Sequence, residues 1–107
     1  MSDVVILYTT WPDAETAQAA GAAAVEAKLA ACANLLAPMT SIYRWRGALQ
    51  QTAETPMLLK TTAAGAPALR DFILARHPYD TSCVLALRVD LALSGAGFIQ
   101  WIGEEIA

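Results

Sequence analysis

Histidine and cysteine, which carry much of metal and nucleophile chemistry, are almost missing: His77, Cys32 and Cys83 are the whole supply in 107 residues. No CxxC or CxxH spacing occurs, so the sequence lacks the ligand pattern of a zinc module or of a CxxC heavy-metal chaperone. Two cysteines this far apart make no disulfide framework, and a reduced, cytoplasmic setting is expected. Charge is scarce too, with 16% charged residues, a net charge of −3 and no long run of either sign. Nucleic acid is therefore not an expected partner, because backbone binding needs a clustered basic face. No stretch reaches the roughly 18 unbroken apolar residues of a membrane span. The Ala-rich segment from Ala14 to Ala33 is interrupted by Glu15, Gln18, Glu26 and Lys28 and reads as a soluble helix. Met1-Ser2-Asp3-Val4 has no basic region ahead of its apolar run, so no secretory signal is expected. Gly95 and Gly97 lack the strand-to-helix context of a phosphate loop.

What is present is apolar: 56% of residues are hydrophobic, enough for one packed domain and too many for disorder. Val4 to Thr10 is a continuous, β-branched run suited to a strand covered on both faces. Trp11-Pro12 breaks it, Asp13 supplies an N-cap, and a helix is expected to about Ala30 with Ala17, Ala20 and Ala24 on its inner face. So small a face lets a helix lie close to a sheet. Cys32 to Trp45 is extended, broken only by Pro38; Arg46-Gly47 turns, and Ala48 to Thr62 returns. Gly65 to Arg76 reads as a second helix with Leu69, Phe72, Ile73 and Arg76 inward, stopped by Pro78. Cys83 to Val89 is a last strand, and Phe98, Ile99, Trp101, Ile102 and Ile106 mark a short C-terminal helix. The order β-α-β-β-α-β plus a helix is the α+β, ferredoxin-like arrangement in a single domain over residues 1–107.

The central hairpin is too long for such a domain. Arms of about 14 residues at about 3.3 Å each reach roughly 45 Å, whereas a chain of this size has a diameter of roughly 34 Å. Ile42, Tyr43, Trp45 and Leu49 on its outer part are poor residues to leave in water beside open strand edges. Self-association removes both problems; the alternative is that Pro38 and Pro56 split the arms into strands that fold back.

Several segments, in order, are similar to the CutA family of divalent-cation tolerance proteins, relatives in fold of the PII signalling proteins. They are Tyr8-Thr9-Thr10 with Pro12-Asp13, Lys28 to Asn34, Ser41 to Trp45 with Gly47, Leu59 to Thr62, His77-Pro78-Tyr79, and the tail around Trp101. The resemblance spans nearly the whole chain. It implies a ferredoxin-like subunit, a homotrimer whose hairpins reach onto neighbours, and a part in the response to metal ions, copper being the metal most often named. Of the ligand positions the family implies, those of Tyr8, Arg76 and His77, only His77 keeps a metal-binding side chain.

The residues themselves leave several roles open. His77, at a helix end, suits an imidazolium facing the dipole; with Cys83 six residues on, or with copies around a threefold axis, it could offer copper or zinc a soft site. Cys32 is either inert packing or a nucleophile with His77 as base. Lys60, a cation in the apolar run Met57 to Lys60, needs Glu54 or another acid, solvent, or an anion held in a cleft between subunits beside His77 and Tyr79. Tyr43, Trp45 and Tyr79 suit an interface or core. The reading that joins these is a homotrimeric, non-enzymatic binding protein that requires no cofactor. Its clefts between subunits, lined by Cys32, Tyr43, Trp45, Lys60, His77 and Tyr79, take a metal ion or small anion, with His77 and Cys83 as metal ligands. Two alternatives stand beside it: a cysteine-dependent hydrolase or transferase using Cys32 or Cys83 with His77, and a structural trimer with no ligand.

Overall fold

The computed structural model describes residues 3–107; Met1 and Ser2, part of the segment read for a secretory signal, lie outside the described residues. Strand β1 (Val4–Trp11) carries the apolar, β-branched run to Trp11, one residue further than expected. The position before a proline favours extended backbone, so Pro12 prolongs the strand. Asp13 then caps α1 (Ala14–Glu26), its carboxylate accepting from the Thr16 N–H at 2.7 Å, with Glu15 in the first turn. That bond to the charged form holds the Asp13 carboxyl below its usual range.

Helix α1 buries Ala17, Ala20, Gly21 and Ala24. A Cβ on Gly21 would come within 2.8 Å of Met57 Sδ and 3.1 Å of Ala33 Cβ, so the small stripe lets the helix lie almost on the sheet. The helix ends about a turn before the expected Ala30. Lys28 takes a left-handed φ of 59°, and Ala31 N–H then reaches Lys60 O at 2.8 Å. A lysine in a place that glycine favours gives no sequence signal for this stop.

The first hairpin arm is two strands, β2 (Cys32–Leu35) and β3 (Met39–Trp45), separated at Pro38. Both pair antiparallel along one edge of β4 (Ala48–Thr62), which runs unbroken for 15 residues through Pro56. The proline thus divides one arm and not the other. Arg46 (φ 49°) and Gly47 (φ 80°) form a two-residue turn with both φ angles positive, the geometry that matches strand twist. The hairpin does protrude: the subunit measures 45 × 28 × 23 Å.

Helix α2 (Ala66–Arg76) follows, with Pro67 in its first turn, then β5 (Val84–Arg88) and α3 (Ala96–Glu105). In α2 Leu69 and Ile73 are buried, whereas Arg76 is exposed and lays its guanidinium over Phe72 at 3.8 Å. Its place on the inner stripe is corrected: a charged end can cover an aromatic face from the solvent side.

The sheet order is β2-β4-β1-β5, all neighbours antiparallel, the ferredoxin-like α+β arrangement. Side chains alternate across each strand, so Val5, Leu7 and Trp11 of β1 join Met57 and Leu59 of β4 under α1 and α2 as the main core. The opposite face is covered only in part, where α3 sets Ile99 and Ile102 against Val4 and Ala31.

Candidate functional site

Three places in the fold gather the residues with chemical capability. The first is the end of β1. The Trp11 indole is fully buried and donates from Nε1 to Thr9 Oγ1 at 2.7 Å, and that hydroxyl donates on to Met57 O at 2.8 Å. The His77 ring stacks on Trp11, with centroids 4.3 Å apart. Its Nδ1 accepts the Tyr79 backbone N–H at 3.2 Å, so the ring proton sits on Nε2 and is donated to Thr10 O at 2.7 Å. Both nitrogens are spent inside the chain. His77 is thus a buried bracket tying the end of α2 to β1, in place of the charged imidazolium facing a helix dipole that its position suggested.

Tyr79 lies beside that bracket, its ring 5.2 Å from the His77 ring. Its phenol titrates above the usual range, first because it is partly desolvated and then because Glu54, Tyr43 and Asp13 would oppose a phenolate. Cys83 immediately precedes β5, whose Val84 pairs with Thr9, so it stands at the same end of the sheet. Among the described residues, no group of three His, Cys, Asp or Glu side chains is disposed to hold a metal. Within one subunit the expected His77–Cys83 pair does not fit a metal centre, since the imidazole has no free lone pair to give.

The second place is the sheet face opposite α1 and α2. Registers put Ile6, Tyr8, Leu58, Lys60, Cys32, Leu85 and Leu87 on it. Leu85 and Leu87 are 57% and 51% exposed on this face. Cys32 opens β2, as expected, and pairs in register with Lys60. Its thiol is 3.8 Å from Asn34 Oδ1, a weak contact. Within one subunit Lys60 does not meet His77 and Tyr79: Lys60 lies on the α3 side of the sheet, and the His77 bracket packs on Trp11 on the other. Within one subunit the same separation keeps His77 from Cys32. No acid pairs with Lys60 either. Arg70–Asp71 is the one ion pair among the described residues, and the lysine Nζ instead sits 5.2 Å from the centre of the Phe98 ring.

The third place is the outer hairpin. Ile42 and Leu49 are 64% and 67% exposed, and Tyr43 and Trp45 are about half so. The Tyr43 hydroxyl accepts a long bond from Thr52 Oγ1 at 3.4 Å. Tyr43 pairs with Gln50, ten positions along β4 from Lys60, or about 33 Å of strand. One subunit therefore cannot bring the expected lining residues into one cleft. The Thr9–Trp11–His77 relay and the contact of Phe98 with Lys60 were not visible in the sequence; the only hint of the first was an aromatic residue set against Pro12 at a strand end.

Fold and surface together define an α+β, ferredoxin-like chain with a half-covered sheet face and a protruding hairpin. The CutA1 divalent ion tolerance protein family matches residues 5–105, and the chain belongs to that family. It is 38% identical over 97 residues to human protein CutA, covering 91% of this chain and 53% of that protein, so it spans about half the length of that relative. A divalent-cation tolerance protein CutA of Salmonella newport is 38% identical over 104 residues, covering 97% of this chain and 89% of the relative. The crystal structure of divalent ion tolerance protein CutA1 from Ehrlichia chaffeensis superposes with a TM-score of 0.92 at 34% identity, covering 100% of this chain and 98% of that one.

Proposed function

We propose that the chain is a non-catalytic divalent-cation tolerance protein that works as a homotrimer and binds a metal ion or small anion in clefts between subunits. The observation that carries this is the half-bare sheet. Leu85 and Leu87 lie open on one face beside the half-buried Ile6 and Leu58, and Ile42 and Leu49 are exposed on a hairpin that no other described part of the chain covers. Contiguous exposed apolar surface of this kind is costly in water and marks an interface, and identical copies bury it most simply in a closed ring. The hairpin reaches far enough to lie on a neighbour, and assembly is the one way Tyr43 and Trp45 could join another subunit's Lys60 or Tyr79. Names of relatives in the family supply the role in cation tolerance.

The two ligand classes differ in their demands. A metal has to draw donors from more than one subunit, because His77 is committed to the fold and Cys83 alone remains of the expected pair. An anion finds a cation already unpaired in Lys60. Both thiols are free and partly exposed, which suits a reducing cytoplasm. Native mass spectrometry of EDTA-stripped protein, with and without Cu²⁺ or Zn²⁺, tests this reading. A trimer is expected, and metal uptake abolished by Cys83→Ser would place the metal arm between subunits. A monomer at micromolar concentration would overturn the assembly.

A further inference from the structure

A groove of about 220 Å³ opens where α3 stops covering the sheet, and its walls are apolar: Val4, Ile6, Phe98, Ile99 and Ile102. One charged side chain, Lys60, lines it. That ammonium has no carboxylate partner among the described residues, and it sits 5.2 Å from the centre of the Phe98 ring. Asp90, next to the groove-lining Val89, is engaged at the 3-10 turn, accepting from the Ala92 N–H at 3.0 Å. The start of α3 meets the same space through Gly95 and Phe98, and this helix has neither a side-chain cap nor an acidic residue in its first turn. Its first backbone N–H groups are therefore left for a ligand or water. A cation without a partner asks for an anion, and the walls ask for an apolar remainder of modest size. The volume equals about seven water molecules at about 30 Å³ each.

We infer that this groove binds a small organic monocarboxylate with a short apolar tail, its carboxylate on the Lys60 ammonium at the α3 N-terminus and its tail between Ile6, Phe98 and Ile102. This deepens the anion arm of the proposed function and rests on it. A neighbour seated on the bare sheet face would wall the groove from the Leu58 and Leu85 side and make it a cleft.

The test is calorimetric titration of the intact, metal-stripped assembly with hexanoate, acetate, hexanol and inorganic phosphate. Hexanoate is expected to bind at least about ten-fold more tightly than acetate, because several methylenes leave water. It should also exceed hexanol, which carries no charge. Lys60→Met keeps the aliphatic stem and should weaken hexanoate by about ten-fold or more, the weight of a hydrogen bond to a charged group. Phe98→Trp, at a half-exposed position, should narrow the groove and weaken hexanoate while sparing acetate; it gives an answer even if Lys60→Met fails to assemble. Hexanoate binding that neither variant weakens would overturn the site. Phosphate binding that needs Lys60, with no preference for hexanoate, would keep the anion reading and overturn this one. Absence of binding by every probe would overturn both.

Discussion

Replacing Thr9 by valine probes the buried relay that anchors the end of β1. The substitution keeps shape and exchanges the hydroxyl for a methyl. Two bonds go: the one from Trp11 Nε1 at 2.7 Å and the one to Met57 O at 2.8 Å. The indole N–H is then stranded in a core where Trp11 is 0% exposed, and a buried donor without a partner costs about 1–3 kcal/mol. The new methyl returns at most about 0.8 kcal/mol. The expected net loss is about 1–2 kcal/mol, which in a domain of this size lowers Tm by roughly 5–15 °C. Urea unfolding followed by circular dichroism at one fixed protein concentration measures it, since the proposed assembly would make stability depend on concentration. The relay also predicts coupling. In a Trp11→Phe background no N–H remains to strand, so the further cost of Thr9→Val should fall by about 1 kcal/mol. Additive effects within about 0.3–0.5 kcal/mol, or a Thr9→Val protein as stable as the parent, would refute the reasoning.

Lys28→Gly should stabilise the chain by roughly 0.5–1 kcal/mol, because glycine adopts the left-handed φ of 59° without the side-chain clash, less its extra unfolded-state freedom; chemical denaturation reads the sign. Asp13→Ala should destabilise at neutral pH. The folded-state carboxyl titrates below its unfolded value, so the capping contribution is present above the unfolded pKa and disappears as pH falls through the folded one. Melting curves of the two proteins should therefore converge in acid, and a gap independent of pH would count against the cap. Tyr79 should ionise later than free tyrosine in an alkaline absorbance titration, and Glu54→Gln should move it back toward the usual value. Leu85→Glu puts a charge on the bare sheet face and should split the assembly in sedimentation velocity, while a charge on exposed Arg70, such as Arg70→Glu, should leave it whole.

Much of the fold could be read from local pattern alone. The β-branched run of β1, the capping Asp13, the Arg46-Gly47 turn and Pro78 after α2 each act within a few residues, so their signals are printed in the sequence. The length of the central hairpin and its apolar outer part were also legible, and with them the pressure to self-associate. What resembled a known family in the sequence matched that family over residues 5–105.

Which side of the sheet each functional residue takes was decided only in three dimensions. Lys60 and His77 looked like joint lining of a cleft between subunits because both are scarce polar groups in apolar surroundings. Register sets Lys60 beside Ile6 and Cys32 on the α3 face, and aromatic stacking holds His77 on Trp11 at the other. The end of α1 at a left-handed lysine followed from the need to bring Ala31 onto Lys60 O, a contact between residues 29 positions apart. Local signals arise from short-range sterics and capping, which sequence records directly. Hydrogen-bond partners of buried groups come from closing long loops, and those partners exist only once β1, β4 and α2 have packed.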